Sequence, residues 1–359
     1  MRLRYIANKY RLRSTQSNIK ELPSVSVCIP ARNEIHALAE CLEGVLASDY
    51  SKLEVLVLDD NSADDTSLII RSFAHAGVRF IAGEPLPAGW LGKNFSLQTL
   101  SVQASGTFIL YMDVDTKLAT TSISRMVDAA LASNAAMISV IPDRYDTKRA
   151  GVYVGSLRYF WELLLSTRKS FPASSSAWMV KRDVLLDTIG GFEKIRTSVR
   201  PEVSIATDVA NNSIYIPIVH SAYMGIGYEK KWSSQIETSR RILYQLVGGT
   251  RVKGVLAILG LLLLNLPTIT MLSVIIAPWQ FIHTLAAVSL LLCICMYGTY
   301  LHYTWQDRWW LGMIMWPYVI AQELVLFVMS MIGYLTHTIT WKGRRIEDVS
   351  DKSIGSTTS

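Results

Sequence analysis

From Gly254 to Gln306 the sequence runs 53 residues without one Asp, Glu, Lys or Arg. No water-soluble core requires that, whereas the hydrocarbon interior of a bilayer does. Acid is also missing from residues 1–20, which hold Arg2, Arg4, Lys9, Arg11, Arg13 and Lys20. Those charges equal the formal net charge of +6, so the rest of the chain is neutral overall. Cysteine is scarce. Cys28, Cys41, Cys293 and Cys295 have the spacing of neither a disulfide framework nor a metal site, which fits a reducing compartment. His36, His75 and His220 have no ligand spacing, and no internal repeat is present. No apolar run follows the basic start, so a cleaved secretory signal is not expected. A nucleic-acid partner is not expected either. No binding motif is present, and the second basic excess (Lys230, Lys231, Arg240, Arg241, Arg251 and Lys253 against Glu229 and Glu237) collects where the uncharged stretch begins.

What is present divides in two. Half of the 359 residues are apolar and 18% are charged, which excludes a disordered chain. The charge is ordinary up to about residue 230, and the apolar residues crowd into 254–277, 279–301 and 309–335. As helices these segments would each reach ~35–40 Å, enough to cross a bilayer with tilt. Trp279, Trp305, Trp309 and Trp310 sit at their ends, as interfacial aromatics do. Just before them, 232–250 sets Trp232, Ile236, Ile242, Leu243 and Leu246 against Arg240 and Arg241, a candidate interfacial helix. Three crossings would separate two basic regions, the one before the tail and Lys342-Gly343-Arg344-Arg345, that both favour the cytoplasmic leaflet. A re-entrant or split segment (Pro267 is a candidate break), or a surface helix formed by the first residues, would remove that conflict. Glu323 lies within an apolar segment, where a carboxylate either lines a functional groove or bonds a neighbouring span.

The first half alternates strands and helices. Strands are expected at 25–29, 54–58, 78–81, 107–112 and 137–141. Helices are expected from Ile35 to Leu46, from Asp64-Asp65-Thr66 onward, over 93–103 and over about 120–133. A further helix is expected over 150–170 and a strand after 176. This pattern implies a mainly parallel sheet with right-handed crossovers, with ligands at the carboxyl ends of its strands. Polar clusters fall at those ends.

Asp113-Val114-Asp115 ends the apolar strand Thr107–Met112. A turn at this strand end would let both acids face one hard cation, Mg²⁺ or Mn²⁺. Asp59-Asp60-Asn61-Ser62 follows another buried strand. Part of it is turn and cap, but two adjacent acids repel unless a base N–H, a ribose hydroxyl or a cation relieves them. Pro30-Ala31-Arg32-Asn33-Glu34 after the first strand would complete a wall of three loops.

These three motifs, in this order and spacing, resemble the family 2 glycosyltransferases of GT-A fold. Pro85-Leu86-Pro87-Ala88-Gly89-Trp90-Leu91-Gly92-Lys93-Asn94, and Thr340-Trp341-Lys342-Gly343-Arg344-Arg345 after the last apolar segment, are similar to a membrane-bound branch acting on carotenoid acids, hopanoids and ceramide. The resemblance covers about 24–345. It implies a Rossmann-like GT-A domain at 23–230, preceded by a basic segment (1–22). An interfacial helix (231–252), about three transmembrane helices (253–341) and a polar tail (342–359) follow it. It further implies transfer of a sugar, with inversion, from a nucleotide diphosphate sugar to a lipid acceptor at the cytoplasmic face of the cell membrane. Asp115 would hold Mg²⁺ or Mn²⁺ with Asp113 assisting or on the ribose. Pro30, Arg32, Glu34, Asp59 and Asp60 would hold the nucleoside, and Lys93 the base or diphosphate. The family places Glu-Asp some ten residues after Gly-Gly-Phe. Here Gly190-Gly191-Phe192 is followed by Arg200-Pro201-Glu202, which puts Glu202 on the catalytic base, with Asp208 as the other candidate. Arg240-Arg241 would contact the diphosphate or lipid headgroups. The Gln-x-x-Arg-Trp motif of processive polysaccharide synthases, the competing enzyme reading, is absent. The altered Arg-Pro-Glu segment also admits an impaired, membrane-tethered binding module.

Overall fold

The structure is a computed structural model that describes residues 22–144, 157–167, 171–219, 221–229, 232–304, 309–342 and 344–345. The basic first segment, most of the polar tail, Lys230, Lys231, His220 and Trp305 lie outside the described residues. The chain forms two compact units, one built on Met1–Asp143 and Leu165–Glu229, the other on Arg144–Leu164 and Lys230–Arg345.

The first unit runs Val25–Ala31 (β1), Leu38–Leu46 (α1), Leu53–Asp59 (β2), Thr66–Ser72 (α2), Val78–Ala82 (β3), Gly92–Gln103 (α3), Phe108–Met112 (β4), Thr116–Leu118 (β5), Ser122–Ser133 (α4) and Met137–Val140 (β6). The second unit takes Arg158–Leu164 (α5). The first then resumes with Ala177–Lys181 (β7), Pro201–Asn212 (α6), Tyr215–Ile218 (β8) and Ile226–Tyr228 (β9). Among the described residues a seven-stranded sheet has the order β3-β2-β1-β4-β7-β6-β8, and β9 pairs antiparallel with β5 beside it.

Alternation along the strands explains the layers. In β1, Val25, Val27 and Ile29 join Leu38, Leu42 and Val45 of α1 and Ile123 and Val127 of α4 on one face. Cys28, with Leu56 and Leu58 of β2 and Tyr111 of β4, joins Leu97 and Leu100 of α3 and Val203 and Ala206 of α6 on the other. A sheet buried on both faces needs apolar side chains at successive positions, which is why these strands are near-continuous apolar runs. The expected parallel sheet holds for β3-β2-β1-β4 and for β6-β8. β7 runs antiparallel to both β4 and β6 and so starts beside the carboxyl end of β4. The helix expected from Ile35 starts at Leu38 instead. The N–H groups of Glu34 and Ile35 are taken by the Thr66 hydroxyl (2.9 Å) and the Asp64 carboxylate (3.4 Å), and Ile35 is left exposed.

The second unit contains α5, Trp232–Leu246 (α7), Arg251–Leu272 (α8), Phe281–Thr304 (α9), Trp309–Ile314 (α10), Trp316–Leu335 (α11) and a two-stranded pairing of Thr340–Trp341 with Arg344–Arg345. Among the described residues three stretches are long and apolar enough to cross a membrane: Arg251–Ile275, Phe281–His302 and Trp316–Leu335. Pro267 stays inside α8 without ending it. The break falls in the third expected segment, at Met315, one residue before α11 opens with Pro317 in its first turn, the position where a missing N–H costs nothing.

α8 and α11 are antiparallel. A Cβ on Gly254 would meet Met331 Sδ at 2.9 Å, and eleven residues along each helix Asn265 Nδ2 donates to Ile320 O at 3.4 Å. α7 lies along the end of α11. Tyr244 N donates to Ser330 Oγ (3.0 Å), Ser330 Oγ donates to Arg240 O (2.6 Å), Tyr334 OH donates to Arg241 O (2.7 Å), and Lys342 N donates to Glu237 Oε1 (3.4 Å). The end of α11 therefore sits at the same end of this unit as α7 and the start of α8. The face of α7 carrying Ser239, Ile242 and Leu243 is buried, and Trp232 stays exposed, so much of the apolar surface expected to meet lipid is covered by protein.

Glu323 on α11 is 1% exposed. Its Oε1 accepts from Trp161 Nε1 (3.0 Å) and its Oε2 from Leu157 N (3.3 Å). Its partner is thus the α5 segment rather than a neighbouring span. These bonds tie residues 157–161, expected within the 23–230 domain, to the helical unit.

Candidate functional site

The loops after β1 and β2 are laced together at the carboxyl edge of the sheet. Asn33 and Asn61 both take left-handed backbone (φ 52° and 51°), which Asn tolerates better than most residues. Asn33 Oδ1 accepts from Ala63 N (2.8 Å), and Asn33 N donates to Ser62 Oγ (2.9 Å). Arg32 Nη1 donates to the carbonyls of Asp60 (2.5 Å) and Asn61 (3.1 Å). Asp59 Oδ1 accepts from Ser62 N (3.1 Å) and Ser62 Oγ (2.5 Å), and Oδ2 from the Ser67 hydroxyl. Hydroxyls thus relieve the expected repulsion at Asp59. Asp60 is buried, with its N–H on Ala31 O (2.8 Å). Pro30 lies within β1 opposite Leu58. A Cβ on Gly83 would sit 2.5 Å from Asp59 O, so the loop after β3 packs here only with glycine. Burial pulls the Asp64 carboxyl up, and hydrogen bonds from the Thr66 hydroxyl and N–H and from Ile35 N–H outweigh it and hold it below the ordinary range.

Asp113-Val114-Asp115 does turn. Thr116 N donates to Asp113 O at 3.1 Å. Both ends of the turn are tied to one carbonyl ahead of β7: Asp113 N donates to Ser176 O (3.2 Å), and Thr116 Oγ1 to the same oxygen (2.8 Å). Val114 is buried, while Asp113 and Asp115 stay partly open to solvent. Lys93 Nζ lies 2.5 Å from Asp113 Oδ1. The buried Cys41 thiol is pushed up by burial and then by the carboxylates of Asp115, Glu34, Asp113 and Glu40. Lys117 answers part of that charge, bonding Glu40 (2.8 Å) and Glu229 (3.1 Å), and these bonds hold its own pKa up.

The donor set suits a hard divalent cation: carboxylate oxygens flanking a turn, one already drawing an ammonium. Among the described residues no group of three or more His, Cys, Asp or Glu is placed to hold a metal by itself. Such an ion would therefore complete its shell with water and phosphate oxygens, as Mg²⁺ usually does.

The start of α3 also grips the other side of the unit. Asn94 is 1% exposed. Its Nδ2 donates to the carbonyls of Ile195 (3.0 Å), Arg196 (3.0 Å) and Ser198 (2.9 Å). Leu91 N donates to Arg196 O at 2.9 Å, and Phe192 N to Gln98 Oε1 at 2.8 Å. The gripped segment leads into α6, whose first turn carries Glu202, 2% exposed. Asp208 lies six residues on, about 240° around the same helix, so the two candidate bases face different ways.

The structure thus brings Lys93 to Asp113 in the turn that also carries Asp115, and places Glu34 in the loop after β1. It weaves Arg32, Asp59 and Asp60 into the adjoining wall and sets Glu202 at the end of a segment anchored on α3. Sequence reasoning missed Asn94, Gln98, Thr116 and Ser176. The one available signal was a polar residue, Asn94, at a helix position that the apolar spacing of Leu97 and Leu100 marks as inward-facing.

A mixed α/β sheet with an acid-turn-acid loop at the carboxyl end of its central strand defines the GT-A class of transferase core. The mannosyltransferase PcManGT from Pyrobaculum calidifontis, solved in complex with GDP-Man and Mn²⁺, shares the fold, with a TM-score of 0.56 over 93% of this chain and 94% of that one at 17% identity. Residues 26–191 match the model for glycosyl transferase family 2, and that stretch is a domain of this family. The GalNAc(5)-diNAcBac-PP-undecaprenol beta-1,3-glucosyltransferase of Campylobacter jejuni is 29% identical over 112 residues, 30% of this chain and 35% of that protein. The 4,4'-diaponeurosporenoate glycosyltransferase of Staphylococcus haemolyticus is 32% identical over 95 residues, 26% of this chain and 25% of that protein. The chain matches only a quarter to a third of the length of these two relatives, 25% and 35%.

Proposed function

We propose that the protein is a membrane-bound, inverting, metal-assisted glycosyltransferase that moves a sugar from a nucleotide diphosphate donor to a lipid acceptor. The observation that carries this reading is the Asp113–Asp115 turn at the carboxyl end of β4, pinned to Ser176 and facing the Lys93 ammonium. The sugar's C1–O bond to the diphosphate breaks as the acceptor oxygen bonds C1 from the opposite face, and the acceptor proton passes to Glu202. Charge develops on the departing diphosphate, where preorganised positive charge lowers the barrier. Lys93 supplies some of it once its ammonium leaves Asp113 for the phosphate. A bound Mg²⁺ or Mn²⁺ would be held by Asp113 and Asp115 and would add the rest. Arg32 and Asp59 act through the loop they brace, which presents Asp60 and Glu34 to the nucleoside.

A lipid acceptor is favoured by the three membrane-length helices and by relatives named for a diphosphoundecaprenol-linked and a carotenoid-acid acceptor. The missing Gln-x-x-Arg-Trp motif favours single transfer over processive synthesis. The basic residues around the start of α8 favour a cytoplasmic catalytic domain in the cell membrane. The antiparallel return of α11 favours a C-terminal Lys342–Arg345 segment on that same side. Lipid mass spectrometry tests the function. Cells carrying the gene should contain a glycolipid that is missing without it and missing with Asp115→Asn, and identical lipid profiles would refute the reading.

A further inference from the structure

Consecutive residues at the start of α3 reach two different parts of the α/β unit. Lys93 meets Asp113, and Asn94 meets the carbonyls of Ile195, Arg196 and Ser198. Taking Glu202 as the base, as proposed above, we infer that Asn94, backed by Gln98, is a positioning residue that sets where Glu202 stands relative to the acceptor.

The chain of contacts is continuous. One buried amide with two N–H groups serves three carbonyls, so its hydrogen bonds are shared and their loss would strand all three away from water. Ser198, the last of them, passes the constraint on. Its Oγ accepts from Arg200 N (3.3 Å) and lies 3.2 Å from Ser204 Oγ. Arg200 O in turn accepts from Val203 N (3.1 Å) and Ser204 N (3.3 Å), closing the first turn of α6 around Glu202. Gln98 fixes the other end of the segment through Phe192 N at 2.8 Å. There Gly191 takes left-handed backbone (φ +69°), and a Cβ on it would push against the Gln98 amide. A base works only within hydrogen-bond reach of the proton it takes, and a shift of about 1 Å can cost on the order of a hundredfold. None of the hydrogen bonds named here ends on Asp115, so loosening them should leave donor binding in place.

The test uses the full chain in vesicles of total lipid extract. Turnover is read as nucleoside diphosphate released from the best of UDP-glucose, UDP-N-acetylglucosamine and GDP-mannose. Asn94→Asp keeps the side chain's shape but turns an acceptor oxygen toward three carbonyls. It should lower kcat by about 10- to 100-fold, leave the donor KM within about twofold and shift the limb of the pH–rate profile that reports the base. Gln98→Met should lower kcat several-fold, and Gln98→Glu, which keeps an acceptor for Phe192 N, should restore it. Unchanged kcat and pH profile in Asn94→Asp overturns the inference, as does a loss of kcat matched by an equal loss of donor affinity. Should Asn94→Asp fail to fold, the Gln98 pair decides: equal activity in Met and Glu variants overturns it. Glu202→Gln is measured alongside. If that variant is fully active the base assignment itself falls; if it is inactive while Asn94→Asp is normal, only the positioning role falls.

Discussion

At the ends of β1 and β2, Asp59, Asn33 and Arg32 spend their side chains on one another's loops, with hydroxyl or backbone partners at fixed geometry. At the end of β4, Asp113 is held by a lysine on a flexible stem, and it and Asp115 remain partly open to solvent. The first arrangement is rigid because each polar group is satisfied within the wall. The second can exchange its partner, because a lysine ammonium can leave a carboxylate when a phosphate or a cation arrives. Burial and hydrogen bonding thus separate the acids that brace the edge from the acids proposed to hold the donor there, although all of them follow apolar strands in the sequence.

Substitutions should separate the two corners. Asp113→Asn and Glu202→Gln should each reduce sugar transfer by about 10²-fold or more with a proportionally smaller change in thermal midpoint, since the proposed reaction draws on the charge of the one and the basicity of the other. Equal losses of stability and activity would erase the distinction. Asp59→Asn should do the reverse. It weakens the bonds from Ser62 and Ser67, lowers unfolding stability by about 1–3 kcal/mol in a denaturant titration, and leaves turnover within several-fold at low temperature. Lys93→Met should raise the donor KM more than it lowers kcat, a difference that steady-state kinetics resolves. The smallest effect sits at the opposite edge of the sheet. Burial raises the Glu54 carboxyl, but hydrogen bonds from Ser26 and Ser105 and the charge of Arg79 outweigh it and hold it below the ordinary 4.5. A depressed folded pKa contributes stability above that value, lost as pH falls through the depressed one. The stability advantage of the native chain over Glu54→Gln should therefore be present at neutral pH and shrink as pH drops below 4.5.

The sequence made some of this legible and hid the rest for physical reasons. β1, β2 and β4 stand out as apolar runs, and the Asp113–Asp115 turn falls where the apolar run of β4 gives way to two acids. The direction of β7 left no local trace, because a strand's side-chain alternation is the same both ways. Its consequence, Ser176 O pinning the acid turn, was therefore invisible too. Asn94 and Gln98 find partners about a hundred residues away, and no spacing rule reaches that far. Asp59 was legible as an acid at a ligand-bearing edge, but not as one whose oxygens Ser62 and Ser67 already hold. In the apolar region Pro267 was a candidate break, yet a proline inside a long helix can be absorbed. Pro317, two residues past Met315, marked the actual break, in the one place where proline starts a helix well. Glu323 announced itself by its cost in an apolar segment, but its partners Trp161 and Leu157 lie on a segment the sequence assigned to the other unit.

The central claim is that Asp113 and Asp115 bind the donor's diphosphate through a divalent cation. Calorimetric titration of UDP and GDP into the full chain, with and without Mn²⁺, tests it most directly. Native protein should bind one of them in a strictly Mn²⁺-dependent manner, and Asp115→Asn should abolish the Mn²⁺-dependent part while unfolding at the same temperature. Tight binding that ignores Mn²⁺, or that survives Asp115→Asn unchanged, would contradict the account.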